Sequence, residues 1–238
     1  MADARVYIPY TTQLIMGRYK LVIFDCDGTL VDSERVGNLV IVDCLKALDH
    51  TITLNEAIEL FAGRKMGDTL ILIEQRIGKP LPSGFLEDIR SRMASAFREG
   101  LETMPEVRGM LQTIQSAGIP CCVASNGPHE KMEVSLGVTG LLPFFGAHIF
   151  SAYDCNSWKP DAGLFQFAAS RMGVSPDECA VIEDSALGVQ GGIAAGMAVF
   201  GYAPNDSGSA LAGLGAKVFH NMNDLPELLG CTPSNSSK

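Results

Sequence analysis

The chain has 238 residues, 47% of them hydrophobic and 19% charged, so it can bury a substantial core and is not typical of a disordered protein. Its net charge of -9 at pH 7 disfavours nucleic acid and anionic membranes as partners, since both would repel it before any specific contact formed. Seven cysteines without metal-ligand spacing indicate free thiols in a reducing, cytoplasmic compartment.

The two ends of the chain differ from the rest. Residues 1–19 are expected to be an N-terminal extension, because they stand ahead of the first convincing strand, and they lack the basic start and apolar block of a signal peptide. Residues 231–238 are expected to be a short, mostly polar tail. No run has the apolar length of a membrane span, and we expect a monomer or weak dimer without a membrane partner.

Short β-rich runs alternate with helical patterns along most of the chain. In chain order the strand-like runs are KLVIFD (20–25), IPCCVAS (119–125), AHIFSA (147–152), ECAVIED (178–184), MAVFGY (197–202) and the weaker AKVFH (216–220). The helical segments between them are HEKMEVSLGV (129–138), DAGLFQFAASRMG (161–173) and SALGVQGGIAAG (185–196). This alternation predicts an α/β fold with a Rossmann-like parallel sheet.

One region interrupts the alternation. From residue 34 to residue 101 there is no good strand pattern, and apolar residues instead recur at helical spacing. The predicted apolar positions are Leu39, Val42, Leu45 and Leu48, then Leu70, Ile73 and Ile77, and finally Phe85, Ile89, Met93 and Phe97. A helical insertion directly after the first strand would lie above the carboxyl edge of the sheet, where ligands of open α/β sheets bind.

The first strand ends in two aspartates one residue apart. Residues two apart in a strand face the same side, so Asp25 and Asp27 are expected to project together. Gly28 permits a turn there, and the Thr29 hydroxyl is expected to hold that turn by a local hydrogen bond. Paired carboxylates suit a hard cation such as Mg²⁺, although Asp-Gly also marks ordinary turns.

Polar residues also stand at the ends of later elements. Ser125 and Asn126 end the second strand-like run, Lys159 precedes a helical segment, and Glu183 and Asp184 end the fourth run. Taken singly, Ser125 and Asp184 are also explained as helix caps, and Lys159 as a solvated surface charge. In this joint order they indicate one site at the carboxyl edge of one sheet.

The ordered set resembles the four motifs of the haloacid dehalogenase (HAD) superfamily. DCDGTLVDSE corresponds to the first motif, and the resemblance extends from about residue 20 to residue 229. It implies the HAD fold, with a core domain of residues 20–33 and 102–230 and an inserted α-helical cap domain of residues 34–101. The strings SNGPHEKM and AYDCNSWKPDAGLF are similar to the β-phosphoglucomutase/6-phosphogluconate phosphatase-like branch.

This resemblance implies a Mg²⁺-dependent phosphatase that acts through an aspartyl-phosphate. Asp25 would be the nucleophile, and Asp27 the general acid and base with a pKa raised by crowding and partial burial. Mg²⁺ would be held by Asp25, the Asp27 carbonyl and Asp184, with Glu183 as a direct ligand or a support. The residues that would hold phosphate oxygens are Ser125, Asn126 and Lys159.

The cap is expected to select the leaving group. Arg64 and Lys65 form a basic turn in the cap that is expected to contact an anionic group of the substrate, and Lys131 would add positive charge near Ser125. Each of the three is also explained as a solvated surface residue. The expected partner is a small phosphorylated molecule, either a sugar phosphate or a sugar-acid phosphate similar to 6-phosphogluconate.

Other activities remain open on the motifs alone. A β-phosphoglucomutase-like phosphomutase shares them, but such mutases resemble one another in carrying a histidine where this chain has Gly37. A dehalogenase would lack the second aspartate, which is present here as Asp27. A phosphonatase would need a cap lysine that forms a Schiff base, and the sequence singles out none. A non-catalytic binding module would have lost a motif residue, and a receiver domain would lack the long helical insertion.

Overall fold

The core is a six-stranded parallel sheet with helices on both faces. The computed structural model describes residues 19–61, 64 and 66–231. The strands are β1 (Leu21–Phe24), β2 (Cys121–Ser125), β3 (Ile149–Ser151), β4 (Cys179–Glu183), β5 (Ala198–Tyr202) and β6 (Lys217–Phe219), and their order across the sheet is β3-β2-β1-β4-β5-β6. Each of the six strand-like runs in the sequence contains one of them, which confirms the predicted α/β class.

The described residues also form twelve α-helices. Four of them follow β1 in the inserted region: α1 (Ser33–Lys46), α2 (Leu54–Phe61), α3 (Met66–Ile77) and α4 (Phe85–Gly100). The others are α5 (Val107–Ser116), α6 (His129–Val138), α7 (Leu142–Phe145), α8 (Ala152–Cys155), α9 (Gly163–Met172), α10 (Ala186–Ala194), α11 (Ser209–Gly213) and α12 (Leu225–Leu228). Within the described part of the chain, none of these helices could cross a membrane.

Strand β1 shows why the sheet is covered on both faces. All four of its residues are buried, and they alternate between two apolar clusters. Val22 and Phe24 pack with residues of α5, α6 and α12, whereas Leu21 and Ile23 pack with residues of α9 and α10. A parallel strand between two helical layers therefore has an apolar run in place of an alternating pattern.

The pairing of β1 with β4 brings two acidic ends of strands together. In this parallel ladder Phe24 lies opposite Ile182, so Asp25 and Glu183 come next at the same edge. The ladder continues one residue further, because the Asp25 N–H donates to the Ile182 carbonyl at 2.9 Å. The carboxyl edge of the sheet is therefore where the two motifs meet.

Helices α1 to α4 bury an apolar cluster of their own. It includes Ile73, Phe85 and Ile89, as the helical spacing predicted. The prediction for α1 was partly wrong, because Leu39 is 41% exposed and the buried positions include Val40 and Ile41. The domain boundaries at residues 34 and 101 remain predictions, although α1 begins at residue 33 and α4 ends at residue 100.

The predicted terminal segments lie almost entirely outside the described residues. The exceptions are Tyr19 and Cys231, which are both buried and pack in the same core cluster as β1. These two residues therefore contribute to the apolar core, while the boundaries of the terminal segments stay predictions.

Candidate active site

A cavity of about 580 Å³ opens between the carboxyl edge of the sheet and the inserted helices. It is lined from the sheet side by the motif residues Asp25, Asp27, Ser125, Asn126, Lys159, Glu183 and Asp184. From the inserted region it is lined by residues of all four helices, α1 to α4, and by Arg64. The size is within the range of small-molecule sites.

Lys159 joins two of the carboxylates at the base of the cavity. Its Nζ atom donates to Asp25 Oδ1 and, at 2.6 Å, to Glu183 Oε1. All three residues are buried, with Lys159 only 4% exposed. Burial acts to lower the pKa of Lys159, but the charges of Asp25 and Glu183 outweigh it and raise that pKa. The lysine is therefore a fixed positive charge, contrary to its alternative reading as a surface residue.

Glu183 is held by protein donors at both oxygens. Its Oε2 atom accepts hydrogen bonds from the Ser185 N–H at 3.0 Å and from the Ser185 hydroxyl at 2.9 Å. Close contact is possible because residue 188 is glycine: a Cβ atom there would lie 1.8 Å from the Glu183 carboxyl group. This arrangement holds Glu183 in place against Lys159.

Asp184 faces the same point from the other side. Thr29 Oγ1 donates to Asp184 Oδ1 at 2.9 Å, so the Thr29 hydroxyl makes a long-range contact and the predicted local turn bond was wrong. Gly28 has a φ of +82°, and a Cβ atom at that residue would lie 2.2 Å from Asp184 Oδ2. The turn after β1 therefore needs glycine both for its backbone and for the room that Asp184 occupies.

Asp27 has its own pair of partners. Lys131 Nζ donates to Asp27 Oδ2 at 2.7 Å, and the Ser33 hydroxyl donates to Asp27 Oδ1. Burial acts to raise the pKa of Asp27, but the charges of Lys131 and Lys159 and the hydrogen bonds from Lys131 and Ser33 together outweigh it, and the pKa is lowered. The predicted raised pKa of Asp27 was therefore wrong; burial instead raises the pKa of Asp25 to about 7.

The predicted phosphate-binding residues of β2 lie in the cavity wall. Ser125 is 2% exposed, and its hydroxyl accepts a hydrogen bond from the Gly127 N–H at 3.0 Å. Asn126 contacts the main chain of Lys159, since its Oδ1 accepts from the Lys159 N–H at 2.9 Å and its Nδ2 donates to the Lys159 carbonyl at 3.4 Å. Asn126 thus ties the end of β2 to the loop that carries Lys159.

The acidic cluster fits a hard divalent cation. Carboxylate oxygens of Asp25, Glu183 and Asp184 lie within 4.8 Å of one another, and oxygen is the donor that Mg²⁺ or Ca²⁺ prefers. No described residue donates a hydrogen bond to Oδ2 of Asp25 or to Oδ2 of Asp184. Burial and neighbouring carboxylates also raise the pKa of Asp184 well above its usual value. The cluster therefore has free oxygen donors, and its three carboxyl groups face the single positive charge of Lys159.

The basic residues predicted to contact substrate are only partly described. Arg64 is exposed, lines the cavity, and donates from Nε to the Leu60 carbonyl at 2.7 Å. Lys65 lies outside the described residues. Lys131 lies on core helix α6, one turn beyond β2, and its charge is engaged by Asp27.

Some residues of the cavity carried no signal in the sequence analysis. Asn38, Arg90 and Arg98 line it and belong to no recognised motif, and Ser33 lies within the first motif without an assigned role. Arg90 and Arg98 are two helical turns apart on α4, a spacing that would put them on one face. The spacing alone does not tell that this face of α4 lines a cavity, which is why the two arginines were missed in the sequence.

An α/β sheet whose carboxyl edge carries a lysine-linked acidic cluster below an inserted helical layer suits an enzyme that uses a divalent cation. The family model described as haloacid dehalogenase-like hydrolase matches residues 19–196. The 6-phosphogluconate phosphatase of Escherichia coli (strain K12) is 34% identical over 214 residues, covering 90% of this chain and 96% of that relative.

Two solved structures extend the comparison. A haloacid dehalogenase-like protein from Agrobacterium tumefaciens str. C58 has a TM-score of 0.78 and 32% identity, covering 89% of this chain and 98% of the other. A HAD family hydrolase from Deinococcus radiodurans R1, solved with bound phosphate and sodium, has a TM-score of 0.76 and 29% identity, covering 90% and 97%.

The chain belongs to the haloacid dehalogenase-like hydrolase family. Both the predicted family and the prediction of a HAD-type phosphatase are confirmed.

Proposed function

We propose that this protein is a Mg²⁺-dependent phosphomonoesterase that hydrolyses a small sugar phosphate or sugar-acid phosphate through an aspartyl-phosphate on Asp25. The observation that carries the proposal is the buried contact of Lys159 with Asp25 and Glu183 at the base of the cavity. The contact supports the proposal because the Lys159 ammonium group then lies beside the attacking carboxylate, where it can neutralise the charge on the phosphoryl oxygens.

In the first step an Asp25 carboxylate oxygen attacks phosphorus, and the bond from phosphorus to the ester oxygen breaks. Asp27 must hold a proton before this step, although Lys131 and Ser33 favour its ionised form, and it gives that proton to the departing oxygen. Lys159 and the Ser125 hydroxyl hold non-bridging oxygens of the transferring group, while Asn126 keeps the Lys159 main chain in place. The products of this step are the free alcohol and phosphorylated Asp25.

In the second step water attacks the phosphorus of phosphorylated Asp25. Asp27 takes a proton from that water, and the bond between phosphorus and the Asp25 oxygen breaks to release phosphate. Asp27 is then protonated for the next turnover. The contacts from Lys131 and Ser33 suit this role because they fix the carboxylate of Asp27 when it is ionised.

The residues proposed to hold Mg²⁺ are Asp25, Asp184 and the Asp27 carbonyl, with Glu183 completing the acidic cluster. Bound there, the cation would offset the repulsion between the Asp25 carboxylate and the phosphate oxygens. Because both oxygens of Glu183 already accept hydrogen bonds from Lys159 and Ser185, we assign Glu183 chiefly to positioning Lys159.

The proposed substrate class has two supports. A relative at 34% identity is named 6-phosphogluconate phosphatase, and a solved relative at 29% identity contains bound phosphate. The cavity of about 580 Å³ has room for more than a phosphate group, and its cap side carries Arg64. Arg64 and Lys65 are proposed to contact the leaving group, and Lys131 to contribute charge through Asp27.

The first test is phosphate release from a panel of sugar phosphates and sugar-acid phosphates, including 6-phosphogluconate, with Mg²⁺ and with EDTA. We expect turnover in Mg²⁺ that stops in EDTA and returns when Mg²⁺ is added back. The Asp25→Asn variant should be folded and inactive. Isomerisation of a hexose phosphate without net phosphate release would instead support the phosphomutase. Cytoplasmic location and a monomer or weak dimer also stay proposals.

A further inference from the structure

We propose that Asn38, Arg90 and Arg98 form a leaving-group subsite that selects a hydroxylated carbon chain ending in a second anionic group. The proposal rests on the proposed phosphatase function and deepens it by naming what the substrate carries beyond its phosphate. A sugar-acid phosphate carries such a second anionic group, whereas the phosphate of a neutral sugar has its phosphate group as the single anion.

Asn38 supplies a buried acceptor that lacks a donor. The residue is 5% exposed, lines the cavity from α1, and donates from Nδ2 to the Glu34 carbonyl at 2.8 Å. That bond fixes the orientation of the amide, so its Oδ1 atom points elsewhere and accepts no hydrogen bond from any described residue. Buried polar atoms without partners are rare in folded proteins. The oxygen is covered in this structure, so a hydroxyl group of the substrate would satisfy it after a small local movement of the cavity wall.

Arg90 and Arg98 supply positively charged hydrogen-bond donors that have no carboxylate partner among the described residues. Both are exposed, both line the cavity, and neither forms an ion pair with a described carboxylate. Arg92 on the same helix behaves differently, since its Nε lies 2.9 Å from Asp88 Oδ2 and it does not line the cavity. In a chain of net charge -9, two arginines unpaired with carboxylates on one cavity wall indicate an anionic ligand.

The helical geometry puts these arginines together. Residues 90, 94 and 98 are each one position beyond Ile89, Met93 and Phe97 on the apolar stripe of α4, so they form the neighbouring stripe. Ala94 between the two arginines also lines the cavity. Its small side chain leaves space between them for a ligand.

The same stripe lies close to Asn38 and to the proposed chemistry. A Cβ atom on Gly37 would be 3.7 Å from Met93 Cε, so this part of α1 faces the middle of α4. At the other end, the Phe97 ring lies 5.9 Å from Lys131 Nζ, which contacts Asp27. A substrate whose phosphate lies at Asp25 therefore has its leaving group directed along α4.

Two acidic residues in the wall limit what the subsite accepts. Glu34 and Glu130 also line the cavity. They would repel an anion placed near them, so the second anionic group is directed toward the α4 arginines. A carboxylate and a second phosphate share the required charge, and the experiment separates them.

The test compares kcat/KM for gluconate 6-phosphate, glucitol 6-phosphate, glucose 1,6-bisphosphate and phenyl phosphate. In the wild type we expect gluconate 6-phosphate or the bisphosphate to exceed glucitol 6-phosphate at least tenfold. The variant with Arg90→Gln and Arg98→Gln should lose about ten- to a hundredfold on the preferred substrate with a second anionic group and less than about twofold on glucitol 6-phosphate. The preference between gluconate 6-phosphate and the bisphosphate identifies the second anion.

Asn38→Leu tests the hydroxyl contact separately. We expect about a tenfold loss of kcat/KM on gluconate 6-phosphate and glucitol 6-phosphate, and no change on phenyl phosphate. The matched control is Arg92→Gln, which removes an arginine of α4 outside the cavity and should leave all four values unchanged. Arg98 also lies in the last turn of α4, so a role limited to helix stability would lower Tm without changing substrate preference.

Equal losses on all four substrates, or an unchanged preference in the double arginine variant, would overturn the inference while leaving the phosphatase intact. If the wild type hydrolyses no ester, the proposed function fails. The inference is then decided by calorimetric binding of gluconate 6-phosphate and glucitol 6-phosphate, using the wild type and the same variants. Preferential binding of the acid that disappears with both arginines supports it, and indifference to the second anion contradicts it.

Discussion

Lys131 Nζ and Asp27 Oδ2 lie 2.7 Å apart, although the two residues are 104 positions apart in the chain. The contact connects α6 to the turn after β1, and the Ser33 hydroxyl at the start of α1 holds the other oxygen of Asp27. A carboxylate proposed to move protons is therefore positioned jointly by the core and by the first inserted helix.

Removing the lysine should slow the chemistry more than binding. We expect Lys131→Met to lower kcat about tenfold or more with a smaller change in KM, because Asp27 loses a charge-assisted hydrogen bond of about 1.5–3 kcal/mol. Lys131→Arg should restore part of the loss. Steady-state kinetics measures both, with Lys20→Met as the control, since Lys20 pairs with Glu178 on the surface. An unchanged kcat in Lys131→Met would contradict this positioning role.

Glycine at position 188 should be essential for the site. In Gly188→Ala the new Cβ would collide with the Glu183 carboxyl group and displace its contact with Lys159. We expect a loss of about 1–3 kcal/mol in the free energy of unfolding and a severe loss of activity. Gly109→Ala in α5 is the matched control, because a Cβ there meets nothing within 4 Å and alanine favours the helix. Chemical denaturation and phosphate release measure both effects, and a fully active Gly188→Ala protein is the result against this account.

A divalent cation should stabilise the fold through the acidic cluster. Mg²⁺ at about one hundred times its Kd is expected to add about 2.7 kcal/mol to the free energy of unfolding, which raises Tm by several degrees. Asp184→Asn should greatly reduce the rise, because it removes one of the proposed ligands. Differential scanning calorimetry with NaCl of equal ionic strength controls for screening, and Asp88→Asn controls for loss of an exposed carboxylate. An equal Mg²⁺ effect in Asp184→Asn would remove this residue from the metal site.

The inserted helices provide a test of the fold itself. Leu45 is fully buried on α1, whereas Leu39 on the same helix is 41% exposed. We expect Leu45→Ala to cost about 2–5 kcal/mol of unfolding free energy and Leu39→Ala about 0.5 kcal/mol or less. Equal losses in the two variants, measured by urea denaturation, would mean that α1 buries a different face.

Local sequence patterns predicted the strands well because each buried parallel strand is a short apolar run with a polar residue at its end. Asp25 and Glu183 were found for the same reason, whereas Lys159 lies in a loop and was found from the order of the motifs along the chain. The face of α1 was partly missed, since apolar spacing alone does not fix which of several overlapping stripes is buried.

Local sequence patterns did not predict the contacts between segments that are distant in the chain. Thr29 was expected to bond within its turn, but its partner Asp184 is 155 residues away. The unsatisfied oxygen of Asn38 and the unpaired arginines of α4 become informative only when the cavity is known. The pKa of Asp27 was misjudged because its burial was foreseen and the full strength of the Lys131 contact was not.

The central claim is that Asp25 carries the phosphoryl group during turnover. The most direct measurement is mass spectrometry of the Asp27→Asn variant. The variant is mixed with Mg²⁺ and with an ester that the wild type hydrolyses, quenched in acid, and mapped by peptide fragmentation. The account predicts one phosphoryl group per chain, located on Asp25 and absent when Asp25 is also changed to Asn. Phosphate release by the wild type with no phosphorylated Asp25 trapped, or with the phosphoryl group on another residue, would contradict it.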